Sequence, residues 1–194
     1  MNGKIIAFEG LPNAGKTVNV TSLKRDFPNF HYIPELATLL FQEEGILSGE
    51  NTTDEIALKF WEYELKRAQK AHEDKSGGKI VIFDRNIFSC LAFTYACEQH
   101  GIHSMEKQIY FNGKVPYPDV YIYLVISPET SMARRGHKKF ENMGPLDHIQ
   151  RAEYVYDSYF EQHPQSTKII KISGEPPIPV VYSNVKKIIE SLLI

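Results

Sequence analysis

The sequence predicts an α/β fold, with helices layered on both faces of a five-stranded parallel sheet. Three observations predict it. Four short runs rich in β-branched and aromatic residues read as buried strands: Lys4–Glu9, Lys79–Asp84, Val120–Ile126 and Lys168–Ser173. A weaker fifth is His31–Ile33. Helical stretches separate these runs, and strands alternating with helices favour parallel pairing covered on both faces. A glycine-bearing turn, residues 10–17, joins the first strand to the first helix.

The helical stretches follow in order: Lys16–Phe27, Thr53–Lys75, Ile87–His100, Pro128–Arg135, Leu146–His163 and Ile178–Leu193. Breakers fall between them. Gly77-Gly78 ends the long second helix, and Pro116-Tyr117-Pro118 precedes the Val120 strand. Pro176, Pro177 and Pro179 mark the entry to the last helix. No linker-like segment divides residues 1–194, so the chain reads as a single domain.

Composition limits the function. Hydrophobic residues are 42% and charged residues 24%, enough for a core and against wholesale disorder. The net charge of −2 argues against a nucleic-acid coat. The longest apolar run, Val120–Ile126, has strand length and falls far short of a membrane span. The first residues read too short for a signal peptide. Cys90 and Cys97 read as one helix, where seven residues span roughly 10 Å, beyond disulfide reach. A reducing, cytoplasmic setting is expected, with no membrane and no nucleic-acid partner.

Residues Gly10, Leu11, Pro12, Asn13, Ala14, Gly15, Lys16 and Thr17 spell G-x-x-x-x-G-K-[ST], the P-loop. The glycines let the backbone curl so that its N–H groups face phosphate oxygens. The following helix adds its positive end. Lys16 is expected on the β- and γ-phosphates of ATP, and the Thr17 hydroxyl on Mg²⁺. Asp84 ends an apolar strand, where P-loop proteins place a carboxylate that helps hold Mg²⁺.

Other P-loop classes fit poorly. No Asn-Lys-x-Asp guanine-reading motif is present: Asn51-Thr52-Thr53-Asp54 lacks the lysine. Arg85, not a second acid, follows Asp84. A small phosphotransferase needs cations around the transferring group, and Arg85, Arg134, Arg135, His137, Lys138 and Lys139 supply them.

In these motifs the chain resembles the thymidylate kinase and deoxynucleoside kinase group of P-loop kinases. The resemblance runs through Phe8-Glu9-Gly10, the P-loop, Arg67-Ala68-Gln69, Val81-Ile82-Phe83-Asp84-Arg85, Ser89 and Pro118-Asp119. It implies the strand order 2-3-1-4-5, a mobile lid near residues 134–146 and a homodimer. It further implies an ATP-dependent kinase acting on a small nucleoside or nucleotide, a dTMP-like monophosphate first. Arg85 then meets the acceptor's phosphate or 5′-oxygen. Arg67 lies beside the acceptor base and Tyr63 stacks on it. Arg134 and Arg135 approach the donor phosphates as the lid closes over them. Ser173 to Pro179 matches the family's adenine-contacting loop.

The thymidylate kinase pattern has Arg-Glu-Pro after the second strand; here stand Ile33-Pro34-Glu35-Leu36, and only the acid remains. A carboxylate suits a hydroxyl acceptor, whose proton must leave, so Glu35 is a candidate general base. The alternative is therefore a deoxynucleoside kinase. A kinase with a non-nucleoside acceptor and a non-catalytic nucleotide-binding protein also stay open. The seven histidines show no metal-ligand spacing. Phe60 and Trp61 either border the acceptor pocket or are core. Tyr154, Tyr156, Tyr159 and Phe160 read as one packing face of a helix.

Overall fold

The computed structural model describes residues 3–44, 53–134, 146–164 and 166–193, with residues 41–44 by backbone alone. Five parallel strands form one sheet: β1 (Lys4–Glu9), β2 (His31–Ile33), β3 (Ile80–Asp84), β4 (Val120–Val125) and β5 (Lys168–Ser173). Their order is β2-β3-β1-β4-β5, as the family resemblance implies. The three central strands are almost wholly buried, which is why they read as continuous apolar runs rather than alternating ones. The edge strand β5 shows more exposed residues.

The helices are α1 (Lys16–Asp26), α2 (Leu36–Glu44), α3 (Asp54–Ser76), α4 (Phe88–Ala96), α5 (His100–Ile109), α6 (Pro128–Ala133), α7 (Leu146–Phe160) and α8 (Ile178–Leu192). Thr53 caps α3, its hydroxyl accepting from the Ile56 N–H, and Gly77 ends it. Pro177 and Pro179 start α8 where their missing N–H groups cost nothing.

Two helices escape the sequence reading. Leu36–Glu44 is helical, although only a strand end was legible there. The stretch expected as one helix, Ile87–His100, breaks after Ala96: Cys97 caps α4, Glu98 takes φ +58°, and α5 starts at His100. Neither proline nor glycine marks this break. Both cysteines are free thiols.

The topology decides where a site can form. β1 has β3 on one side and β4 on the other, so the chain leaves β1 at a switch in strand order. Connections diverge there and open a crevice beyond the carboxyl ends of the strands. Glu9, Ile33 and Asp84 end three neighbouring strands at that edge.

Candidate active site

The P-loop occupies the crevice beyond β1. Gly10 has φ +137°, and a Cβ there would lie 2.4 Å from the Leu124 carbonyl oxygen, so only glycine fits. Gly15 precedes α1 at φ +92°, and no side chain caps the helix. The first N–H groups of α1 therefore remain available to an anion. Helix α6 braces the loop: the Ser131 hydroxyl donates to the Pro12 carbonyl at 2.7 Å, and Asn13 Nδ2 donates to the Ser131 carbonyl at 3.0 Å.

Lys16 is buried inside the curl. Its ammonium donates to the carbonyls of Gly10 at 2.9 Å and Leu11 at 2.6 Å. Burial, with the neighbouring Arg85 charge, pulls its pKa down to about 7. Asp84 is 3% exposed and bonds the Thr17 side chain, while its Oδ1 has no hydrogen-bond partner. Burial raises its pKa. A hydroxyl beside a buried carboxylate with a spare oxygen is a donor set suited to a hard, oxygen-seeking dication. Among the described residues no group of three or more His, Cys, Asp or Glu could hold a metal.

Arg85 stands at the centre. It follows β3 with φ +63°, an unusual angle for a side chain of this size. Its Nη1 donates to the Gly10 carbonyl at 3.2 Å, Ser89 Oγ at 3.2 Å and Tyr156 Oη at 3.3 Å. Its Nε meets Glu35 Oε1 at 2.7 Å. Glu9 lies beneath, fully buried, accepting from the Asn86 N–H, Ser89 Oγ and Tyr156 Oη at 2.7–2.9 Å. Burial raises the Glu9 pKa despite the Arg85 charge.

Tyr63 and Arg67 line an open groove of about 330 Å³ with Ile33, Pro34 and Lys66. The Arg67 guanidinium donates to Glu64 Oε1 and to the Pro34 carbonyl, and lies 5.5 Å from the centre of the Phe83 ring. Arg134 caps α6 at its C-terminal end and faces the loop after β5, donating to the carbonyls of Gly174 at 2.8 Å and Glu175 at 2.9 Å. Arg135 and the cations at 137–139 lie outside the described residues, as does most of the lid expected at 134–146.

Lys16, Thr17, Asp84, Arg85 and Glu35 thus converge on one crevice, and Tyr63 and Arg67 border it on the β2 side. Two participants, Glu9 and Tyr156, had been given no role in the site from sequence, although both were named, Glu9 in the run that carries the family resemblance and Tyr156 on a helix face. Tyr156 read as packing because it shares a helix with Tyr159 and Phe160, which are indeed buried, whereas Tyr154 is 53% exposed. Trp61 is buried core at 3% exposure.

A family model described as thymidylate kinase matches residues 8–184. The chain belongs to the thymidylate kinase family. The thymidylate kinase of Caldanaerobacter subterraneus subsp. tengcongensis is 26% identical, over 100% of this chain and 98% of that protein. That of Clostridium novyi is 28% identical, over 95% and 97%. Solved structures share the fold. A deoxyadenosine kinase from M. mycoides superposes with a TM-score of 0.73 at 14% identity, covering 97% of this chain and 99% of that one. Thymidylate kinase from Candida albicans gives 0.72 at 18% identity, over 98% and 92%. As a member of the thymidylate kinase family, this chain is a phosphotransferase of the nucleotide kinase kind. No helix among its described residues is long and apolar enough to cross a membrane.

Proposed function

We propose that this family member uses ATP and Mg²⁺ to phosphorylate a deoxynucleoside 5′-monophosphate, dTMP first. The observation that carries the reading is the position of Arg85. One end of its guanidinium touches Gly10 of the P-loop and the other touches Glu35 beyond β2. It bridges the donor side and the acceptor side, where a transferring phosphoryl group would lie.

The roles follow from the geometry. The P-loop N–H groups and the start of α1 cradle the donor phosphates. Lys16 exchanges its carbonyl partners for phosphate oxygens, and a dianion beside it restores its proton. Thr17 and Asp84 would hold Mg²⁺, which when bound neutralises phosphate charge and orients the donor. An acceptor oxygen attacks the γ-phosphorus while the bond to the bridging oxygen breaks. Arg85 offers donors to the charge that spreads over the equatorial oxygens. Arg67 and Tyr63 hold the acceptor base. A phosphate acceptor is already ionised and needs no base, so Glu35 then serves to aim Arg85.

Glu35 also favours a second reading. Its carboxylate, 29% exposed, sits beside Arg85 with no arginine in the position before it. That is the arrangement a 5′-hydroxyl acceptor would use, with Glu35 taking the proton. Transfer from labelled ATP to each common nucleoside and its 5′-monophosphate separates the two. Turnover of dTMP supports the first reading. Turnover of thymidine or another free nucleoside alone replaces it with the second. Silence across the panel sinks both.

A further inference from the structure

Glu64 takes no part in the scheme above, yet it is the most unusual residue near the acceptor groove. It is an acid on the inner face of α3, 3% exposed. One oxygen accepts from Arg67 Nη1, and the other, Oε2, is buried without a hydrogen-bond partner. A buried ion pair of this kind adds little to stability, since an apolar pair of equal volume does as well. Its worth lies in direction. The Arg67 side chain is 12% exposed and is held at three points: the Glu64 carboxylate, the Pro34 carbonyl and the face of Phe83. Of these, only Glu64 carries a charge that can change.

We propose that Glu64 is a positioning residue, whose carboxylate aims the Arg67 guanidinium at the acceptor base and thereby sets acceptor affinity. The proposal deepens the kinase reading and rests on it for the identity of the ligand.

The charges around the pair make the contact conditional. Arg67 faces Glu64 from its own helix. From other elements come Glu9 at the end of β1, Glu35 ahead of α2, and the Cys90 thiol of α4. Burial comes first in raising the Glu64 pKa, to about 7; Arg67 opposes it, and Glu9 and Glu35 add to it. Burial keeps the Cys90 thiol protonated, so it contributes no charge. Above neutrality Glu64 is an anion and pairs with Arg67. Below it the carboxyl is neutral, and the guanidinium loses its charged anchor.

The test uses the full-length protein, with dTMP and thymidine as acceptors at saturating ATP. In the wild type, acceptor KM should fall as pH rises through about 7. Glu64→Gln keeps the shape and loses the charge. Its KM should rise roughly tenfold at pH 8, with kcat within about twofold and that pH dependence gone. In an Arg67→Ala background the Glu64→Gln change should add nothing. Additive losses, kcat falling in step with affinity, or a wild-type pH limb that survives in Glu64→Gln would overturn the proposal.

A readout independent of turnover is the Arg67 Nε–H resonance in ¹⁵N-labelled protein. It should shift with a midpoint near 7 in the wild type and stay still in Glu64→Gln. A resonance indifferent to pH in the wild type overturns the pairing itself. A titrating resonance in a protein that phosphorylates nothing overturns the kinase reading and leaves the Glu64–Arg67 coupling standing.

Discussion

The Glu35 carboxylate lies 2.7 Å from Arg85 Nε, so the acid beyond β2 and the cation after β3 are one unit. An acceptor phosphate would compete with Glu35 for that guanidinium edge. Replacing Glu35 by Gln should therefore leave dTMP turnover within a few-fold of wild type, with a lower KM for dTMP. If Glu35 instead removes a proton from a hydroxyl, nucleoside turnover should fall by about 10²-fold or more. Steady-state kinetics with dTMP and thymidine on the same variant decide between them.

Lys16 carries a structural penalty alongside the role proposed for its charge. It is 5% exposed, and its folded pKa of about 7 lies below the usual 10.5. The unfolded chain therefore binds more protons between those values, and stability rises with pH across that window. Lys16→Met should abolish phosphoryl transfer yet raise Tm, at about 2–4 °C per kcal/mol for a chain of this size. Thermal denaturation at pH 7, beside a turnover assay, checks both halves.

Arg134 should act on donor affinity rather than on the chemical step. Its guanidinium is committed to the carbonyls of Gly174 and Glu175, and the Glu175 carboxylate in turn accepts from the Ser127 N–H and Thr130 hydroxyl at 2.8–2.9 Å. Arg134→Ala should raise KM for ATP several-fold with kcat nearly kept. A fall in kcat of about 10³-fold would instead place the guanidinium on the transferring group. Gly174→Ala should act in the same direction, because its Cβ would come within 2.9 Å of Ile126 Cγ2 and 3.1 Å of the Ala14 carbonyl oxygen.

His163 sets an acid limit on stability. Its Nδ1 donates to the Tyr159 carbonyl at 3.0 Å and its Nε2 accepts from the Tyr110 hydroxyl at 2.8 Å, which fixes the neutral tautomer. Burial lowers its pKa from 6.5 to about 4. The unfolded chain binds the proton first, so the stability this group protects is full above pH 6.5 and lost as pH falls toward 4. The loss is on the order of 3 kcal/mol. Urea denaturation across that range should show a shallower decline in His163→Phe than in the wild type.

Local patterns carried much of this protein. The P-loop is legible because phosphate binding needs glycine at Gly10 and Gly15 for backbone reasons that hold in any context. The three central strands are legible because burial on both faces demands unbroken apolar runs. Asp84 and Arg85 are legible through their adjacency to such a run. The break at Cys97–Gln99 is not, because its left-handed residue is Glu98 and nothing local announces it. Helix α2 escapes for a different reason: Pro34 and Glu35 ahead of it suit a loop as well as a helix start.

The partners of each charge belong to the tertiary structure. Glu9, Glu35, Glu64, Arg67, Arg85 and Tyr156 come from five separate segments; only Glu64 and Arg67, three apart on one helix, are neighbours by spacing, and nothing along the chain says that Arg85 meets Glu35 or that Tyr156 meets Glu9. The same holds for Arg134, which reads as a free lid cation until β5 and α6 are set side by side. By itself the sequence determined the sheet, the phosphate loop and the class of chemistry, since each depends on backbone conformation and burial over a few neighbouring residues. Only the tertiary structure decided which side chains are charged, paired and aimed, because desolvation and Coulomb interaction depend on distance in space and not on distance along the chain.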